Sequence, residues 1–221
     1  MSVKFENDVD IKKLIIKTCS ICAIILTMVL LIYITITQRK TIKKQEKALL
    51  TIEMAFDSMD YENIETKYDF IDKRKAVYIE ELCKSENVNS DLVFGHLMKE
   101  NPTFDEFAIN RDNVNGSVDI GLFQLNDYYL WTDFVPRYWI KGVDFDPFNW
   151  KHNAYIAVHH IAWLQKNLKV EDDVIMAYNC GLNAVINDRI PTSTKEVYLV
   201  EVRNNMNLLK KTVKENKYEK F

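Results

Sequence analysis

The chain has 221 residues, a formal net charge of −3 and 48% hydrophobic residues, with only 5 Gly and 4 Pro. This composition argues against disordered, collagen-like and many-stranded β proteins and favours a mainly helical globular fold. Residues 76–205, the only stretch long enough for a domain, hold 11 basic and 19 acidic residues, a charge of −8. Since contacts to phosphates need clustered Lys and Arg, we expect no nucleic acid as a partner.

The first predicted element is a membrane-spanning helix over residues 18–37, preceded by a short segment of residues 1–17. The span carries no formal charge, and as a helix at ~1.5 Å per residue it covers roughly 30 Å, the thickness of the hydrocarbon core of a bilayer. It is long for a signal peptide and has no small-x-small cleavage site after it, so we expect an uncleaved anchor. Basic residues flank both ends, so charge alone leaves the orientation open.

Residues 38–67 predict a stalk helix followed by a linker. Apolar residues between positions 48 and 56 recur at helical spacing, and a polar, weakly periodic stretch follows at 59–69. We expect the globular domain over residues 68–205, long enough for one core, and a basic tail over residues 206–221.

Apolar periodicity predicts four helices in the domain and a fifth that continues into the tail. Their expected positions are Phe70–Cys83, Asp91–Glu100, a helix opened by Asp146-Pro147, Glu171–Asn179 and Val197–Tyr218. Asn89 or Ser90 is the expected cap of the second helix. Between the second and third helices, the apolar stretch Val118–Leu125 is interrupted by Gly121 and is compatible with a strand or a helix.

Glu100 lies among the apolar residues of the second helix. With Leu92 at 0° on a helical wheel, Glu100 falls at about 80°, between His96 at about 40° and Leu97 at about 140°. Burial disfavours the charged form of a carboxyl group and raises its pKa toward the range that a general acid needs. Glu100 is therefore the leading catalytic candidate, although glutamates at helix ends are also common for structural reasons.

Four motifs follow one another along the domain: Glu100-Asn101, Gly121-Leu122-Phe123-Gln124, Ala177-Tyr178-Asn179-Cys180-Gly181 and Tyr198. In order and spacing they resemble the lytic transglycosylase (SLT) domain of the lysozyme-like superfamily, over nearly all of residues 68–203. The resemblance implies a mainly α, lysozyme-like fold with at most a small β element, and no cofactor. Trp150 stands where many relatives place an asparagine, so we expect the packing of that helix to differ.

The resemblance also implies a reaction on peptidoglycan glycan strands. Glu100, as the one catalytic carboxyl, would cleave the β-1,4 bond between N-acetylmuramic acid and N-acetylglucosamine and close a 1,6-anhydro ring. Substrate-binding residues carried over from the motifs are Gln124, Tyr178, Asn179 and Tyr198, with either tyrosine able to hydrogen-bond Glu100. Ordinary core packing is the alternative reading of these four residues.

The stretch Asn115–Asn126 resembles a narrower group, which contains animal-type lysozymes and the transglycosylases of secretion, conjugation and flagellar machines. It brings in Asp119 as a possible second carboxylate. Hydrolysis by Glu100 and Asp119 is therefore one alternative function, and a non-catalytic glycan-binding scaffold of an envelope-spanning machine is another. Asp119 is equally well explained as a turn residue that accepts backbone hydrogen bonds.

Other polar and aromatic residues give weaker signals. Cys83 and Cys180 either pair in an oxidising compartment or remain free. His159 and His160 point about 100° apart on a helix, so we predict no metal site. An aromatic cluster either stacks on sugar rings or packs on the core; it consists of Tyr128, Tyr129, Trp131, Phe134, Tyr138 and Trp139.

The location of peptidoglycan fixes the topology that the charges leave open. We expect a single-pass protein of the cytoplasmic (inner) membrane, anchored by residues 18–37. Residues 1–17 would then be cytoplasmic, and the catalytic domain would lie on the extracytoplasmic, or periplasmic, side.

Overall fold

The computed structural model describes residues 27, 28, 30–40, 56, 58, 61–113, 115–139, 141 and 143–218. The chain divides into two compact units, Met1–Glu53 and Met54–Phe221. In the first unit, residues 30–40 are helical, and the hydroxyls of Thr35 and Thr37 donate to the carbonyls four residues before them.

The predicted membrane span is described only in part. Residues 18–26 and 29 lie outside the described residues, as do residues 1–17 and residues 41–55 of the predicted stalk. Across the portion of the chain that is described, no helix combines the length and the apolar character needed to cross a bilayer.

The second unit is built mainly from helices. The long ones are α1 (Lys73–Glu86), α2 (Ser90–Glu100), α3 (Trp150–Asn167), α4 (Glu171–Cys180) and α5 (Leu199–Tyr218). Shorter helical segments are Tyr61–Asn63, Asp127–Tyr129, Leu130–Phe134, Val135–Tyr138, Leu182–Ile186 and Thr194–Tyr198.

A small antiparallel sheet completes the unit, with strands β1 (Ile109–Asn110), β2 (Asp119–Ile120) and β3 (Leu125–Asn126) in that order. The stretch Val118–Leu125, for which the sequence allowed a strand or a helix, thus contains β2 and the first residue of β3, joined by a turn. The expected class, mainly α with a small β element, is confirmed.

Polar side chains set the ends of the first two helices. The Asp72 carboxylate accepts from two backbone N–H groups at the start of α1, and Asn87 ends it in the left-handed conformation with φ 56°. Asn89 caps α2 by accepting from the Asp91 N–H, while Ser90 is its first helical residue. These caps satisfy N–H groups that have no partner within the helix.

The predicted start of α3 is wrong by one turn. Asp146 and Pro147 lie in a turn in which the Asp146 carboxylate accepts from the backbone N–H two residues later. The helix begins at Trp150, because Asn149 adopts an extended backbone and its side chain accepts from the Lys151 N–H.

The core is organised around α2, whose Leu92, Val93, Phe94 and Leu97 are fully buried. Burying each such side chain stabilises the fold by roughly 1.5–3 kcal/mol. At Gly95, α2 lies so close to α5 that an added Cβ would sit 2.8 Å from the side chain of Met206. This close approach places the end of α2 beside the residues that lead into α5.

An asparagine ties α3 to the turn between β2 and β3. Asn153 is fully buried; its Oδ1 accepts from the Phe123 N–H at 2.8 Å, and its Nδ2 donates to the carbonyls of Ile120 and Pro147, each at 3.0 Å. Asn153, one turn after Trp150, therefore fixes this part of α3 against the turn that leads to Gln124.

Candidate active site

Glu100 is the last residue of α2 and is half-buried on the wall of a cleft. Burial raises the pKa of its carboxyl group to about 7; the charge of Asp119 raises the pKa further, while the Tyr198 hydrogen bond and the charge of Lys99 lower it. Both the protonated and the charged form of the carboxyl are thus accessible near neutral pH, as a residue that acts as acid and then as base requires.

Asn101, directly after Glu100, holds this end of α2 in place. It is 3% exposed, and its Nδ2 donates to the carbonyls of Asp105 at 2.7 Å and Leu122 at 3.1 Å. Its Oδ1 accepts from the Thr103 hydroxyl at 2.9 Å. The amide therefore connects the catalytic candidate to the turn that carries Gln124.

Tyr198 is the tyrosine that contacts Glu100. Its hydroxyl lies 2.5 Å from Glu100 Oε1 and 2.9 Å from His96 Nδ1. Tyr198 ends a π-helical turn, Thr194–Tyr198, just before α5; such turns are often found at functional sites. The residue is 5% exposed, and in the described part of the chain it lies behind Glu100 rather than among the residues that line the cleft.

The cleft has a volume of about 850 Å³. Its wall includes Glu100, Asp119, Gln124, Tyr178 and Asn179, so that five of the six predicted site residues meet around one space. A volume of this size is typical of ligand sites, which range over roughly 300–1,000 Å³.

Asp119 lies on β2 within a network of amides. Its Oδ1 accepts from Asn126 Nδ2 at 2.9 Å, and its Oδ2 accepts from Asn110 Nδ2 at 3.5 Å. Asn126 also donates to the Ser117 hydroxyl at 2.7 Å. These are side-chain contacts across the strands, so Asp119 is held in a fixed orientation on the cleft wall rather than in a turn.

The other predicted binding residues are held mainly through backbone groups. Gln124 adopts φ 48°, and its Nε2 donates to the carbonyls of Gly121 at 2.8 Å and Ala108 at 3.2 Å. The Tyr178 hydroxyl donates to the Phe123 carbonyl at 3.3 Å, and Asn179 Oδ1 accepts from the Thr194 hydroxyl at 2.7 Å. Burial raises the pKa of Tyr178 far above its ordinary value, so the phenol stays neutral.

Some residues of the aromatic cluster line the cleft, where a sugar ring would bind, and others pack on the core. Tyr129 and Phe134 line the cleft. Trp139 is 7% exposed and donates its indole N–H to the Val143 carbonyl, which is a packing role, whereas Trp131 is 51% exposed. Tyr138 contacts His160 through a 3.1 Å hydrogen bond.

The residues of the site that the sequence analysis did not assign to it include His96, Arg137 and Trp163. His96 is buried behind Tyr198, and Arg137 and Trp163 line the cleft with the guanidinium 4.5 Å from the indole ring. The position of His96 near Glu100 on the helical wheel was a usable signal. No local pattern connects Arg137 with Trp163, because the two come together only through packing.

The cysteines and the paired histidines do not form a second site. Cys83 and Cys180 are both free thiols, the first buried and the second on the cleft wall. His159 Nε2 faces Glu86 at 3.3 Å, whereas His160 faces the cleft. Within the described ranges, no three His, Cys, Asp or Glu residues are grouped so that they could hold a metal ion.

Comparison with known families gives a match over more than half of the chain. The model of the transglycosylase SLT domain matches residues 78–199, a range that contains Glu100, Asp119, Gln124, Tyr178, Asn179 and Tyr198. A comparison with curated proteins finds no significant match.

Proposed function

The chain belongs to the transglycosylase SLT domain family, whose members act on peptidoglycan, and we propose that it is a membrane-anchored lytic transglycosylase. It would cleave the β-1,4 bond between N-acetylmuramic acid and N-acetylglucosamine with formation of 1,6-anhydro-N-acetylmuramic acid. The observation that carries this proposal is the Glu100 carboxyl group, which is held on the cleft wall with its pKa raised to about 7.

In the first step, protonated Glu100 donates its proton to the glycosidic oxygen, and the C1–oxygen bond of the muramoyl sugar breaks. Positive charge develops at C1, and by family analogy the substrate's N-acetyl group supplies electrons to it. The Glu100 carboxylate then takes the proton from the C6 hydroxyl of the same sugar, whose oxygen bonds to C1. Glu100 ends protonated, no water is consumed, and one carboxyl group serves as acid and as base.

Asp119 supports hydrolysis as a second candidate function. It shares the cleft wall with Glu100 and lies near enough for its charge to raise the pKa of Glu100. A carboxylate in that position would stabilise the positive charge at C1 while water attacks, as in lysozyme-type enzymes. The two functions differ in product, because hydrolysis leaves a reducing end.

The N-terminal region supports the proposed location. Residues 18–37 carry no formal charge, and peptidoglycan lies outside the cytoplasmic membrane. We therefore propose that the span anchors the catalytic domain on the extracytoplasmic side. The likeness of Asn115–Asn126 to transglycosylases of secretion, conjugation and flagellar machines supports recruitment by such a machine.

The mass of the products tests the proposed reaction. Purified full-length protein is incubated with isolated sacculi, and the released muropeptides are analysed by mass spectrometry. We expect anhydro ends, one water lighter than reducing ends. Reducing ends would favour hydrolysis by Glu100 and Asp119, and the absence of any release would favour the non-catalytic scaffold.

A further inference from the structure

His96 lies behind the hydrogen-bonded pair of Tyr198 and Glu100 and has no part in the mechanism above. We propose that His96 is a positioning residue: its Nδ1–H donates to the Tyr198 hydroxyl oxygen and thereby commits the Tyr198 proton to Glu100 Oε1. The three side chains form a chain of contacts, 2.9 Å from His96 Nδ1 to Tyr198 Oη and 2.5 Å from there to Glu100 Oε1. His96 is fully buried, one helical turn before Glu100 on α2.

The number of available protons decides which group donates in each of these two hydrogen bonds. A tyrosine hydroxyl has one proton to donate and two lone pairs with which to accept. When Glu100 is a carboxylate, it can only accept, so the Tyr198 proton points toward it. The contact between Tyr198 and His96 then needs a proton from the imidazole, which must be on Nδ1.

The other imidazole nitrogen supports the same tautomer. His96 Nε2 is buried and has no hydrogen-bond partner among the described residues. With the proton on Nδ1, Nε2 carries only a lone pair, so the unpaired group is an acceptor. With the proton on Nε2, a buried N–H would be left unpaired, and orphaned N–H groups are rarer in proteins than orphaned acceptors.

The groups around His96 keep it neutral. Burial lowers its pKa to about 3, and a charge on His160 of α3 would lower it further. The ring also packs 4.5 Å from the ring of Tyr178 on α4, which stays a neutral phenol. A neutral imidazole can donate to Tyr198 without adding a positive charge beside Glu100.

The charges that face Glu100 come from two other residues. Asp119 on β2 raises the pKa of Glu100, and Lys99 on α2 lowers it, although the Lys99 ammonium is also paired with Glu201 on α5. Neither of them is part of the His96–Tyr198 chain. Changing His96 therefore leaves these charges in place and removes the donor that acts on Oε1 through Tyr198.

Two effects on catalysis follow. Hydrogen bonds in a chain polarise one another, so donation from His96 strengthens the bond from Tyr198 to Glu100 and favours the carboxylate. The occupied Oε1 also leaves Oε2 to carry the proton that is transferred. Only these effects on rate rest on the proposed function; the tautomer and the titration of Glu100 do not.

Nuclear magnetic resonance tests both parts on the full chain in detergent without substrate. Nitrogen-15 spectra of the histidines, with His96 assigned by its absence in His96→Phe, should show Nδ1 protonated at about pH 8, where Glu100 is a carboxylate. Carbon-13 spectra of the glutamate carboxyls, with Glu100 assigned in Glu100→Gln, should show its titration moved upward by roughly half a pH unit in His96→Phe.

Three variants sharpen the test. His96→Asn keeps an amide N–H near the position of Nδ1, so it should move the Glu100 titration less than His96→Phe does. Tyr198→Phe removes the bond to Oε1 and should move the titration upward by roughly one to two pH units. Adding His96→Phe to Tyr198→Phe should cause no further movement, because the path between the two groups is already broken.

Protonation of His96 at Nε2 in the wild-type chain at about pH 8 would overturn the inference, and so would an equal effect of His96→Phe with and without Tyr198. These outcomes are separate from the proposed function. If the spectra agree but no muropeptide is released from sacculi, the positioning role stands and the enzymatic proposal fails. If the protein releases anhydro ends while His96 is protonated at Nε2, the enzymatic proposal stands and the positioning role fails.

Discussion

At the scale of single residues, the raised pKa of Glu100 has a consequence for stability. The pKa is about 7 in the folded protein against an ordinary value of 4.5, so the folded state binds more protons than the unfolded state between these values. The stability that this carboxyl contributes is therefore fully present below about pH 4.5 and is lost as the pH rises through about 7. Near neutral pH, the burial of this carboxyl group therefore lowers the free energy of unfolding.

Glu100→Gln should accordingly stabilise the protein in a pH-dependent way. We expect a gain in the free energy of unfolding of about 2–3 kcal/mol at pH 8, and almost none at pH 4, where the carboxyl is protonated in both states. Urea unfolding at the two pH values measures the difference. Glu196→Gln, an exposed glutamate two residues before Tyr198, is the control and should change stability by less than about 0.5 kcal/mol. An equal gain for Glu100→Gln at both pH values would contradict the assignment.

At the scale of elements, the turn between β2 and β3 depends on close contact with α3. Gly121 has φ 79°, and an added Cβ would lie 2.4 Å from Asn153 Nδ2 and 2.5 Å from the Pro147 carbonyl oxygen. Gly116, in the preceding loop, has a similar φ of 76° but no atom within 4 Å of an added Cβ. A comparison of the two glycines therefore distinguishes the cost of a left-handed backbone from the cost of a steric clash.

Gly121→Ala should therefore destabilise the fold much more than Gly116→Ala. For Gly116→Ala we expect a loss of about 1 kcal/mol from the left-handed backbone alone. Gly121→Ala should lose about 2–4 kcal/mol, because Asn153 must move and its buried hydrogen bonds weaken. Equilibrium unfolding of both variants measures the contrast, and similar losses would show that the contact with α3 is unimportant.

The sequence predicts some of these elements better than others. Apolar spacing located α2 and α4 closely, and for α2 the predicted cap Asn89 acts on an N–H group close to it in the chain. The first helix, predicted over Phe70–Cys83, runs three residues later, because the Asp72 side chain, which was not predicted as a cap, accepts from the N–H groups at the helix start. The start of α3 was misplaced because an aspartate before a proline suits a turn as well as a helix start. The strands were ambiguous because each is only two residues long.

The residues of the candidate site likewise differ in how well the sequence predicts them. Glu100 was predicted from its place on a helix face, and the motif resemblance supplied Asp119, Gln124, Tyr178 and Asn179, which line the cleft with it. The choice between Tyr178 and Tyr198 as the partner of Glu100 depends on how α5 packs against α2, and the contact joins residues 98 positions apart. Arg137 and Trp163 belong to different elements for which the sequence shows no common signal.

At the scale of the whole molecule, the segment charges bear on how the protein would reach its substrate. Residues 76–205 carry a charge of −8, and peptidoglycan stems carry carboxylates. Long-range electrostatic attraction between the two is therefore weak or repulsive. An anchor at residues 18–37 and the basic residues of the tail would supply the proximity that charge does not.

Deletion of residues 1–40 tests this proposal. We expect the truncated protein to lose far more activity in cells than on isolated sacculi, because only in cells does the anchor bring the domain to its substrate. Replacing residues 18–37 by an unrelated apolar helix should restore activity in cells. Equal losses in the two assays would refute the role of the anchor.

In the proposed reaction, Glu100 alone supplies both the acid and the base. The decisive measurement is the rate at which muropeptides are released from sacculi by Glu100→Gln and by Asp119→Asn. We expect Glu100→Gln to lose a factor of roughly 10²–10⁴, because the amide can neither donate nor take the proton. Asp119→Asn, which keeps the size of the side chain, should retain activity within about a factor of ten and still give anhydro ends. Release by Glu100→Gln at the rate of the parent would contradict the mechanism.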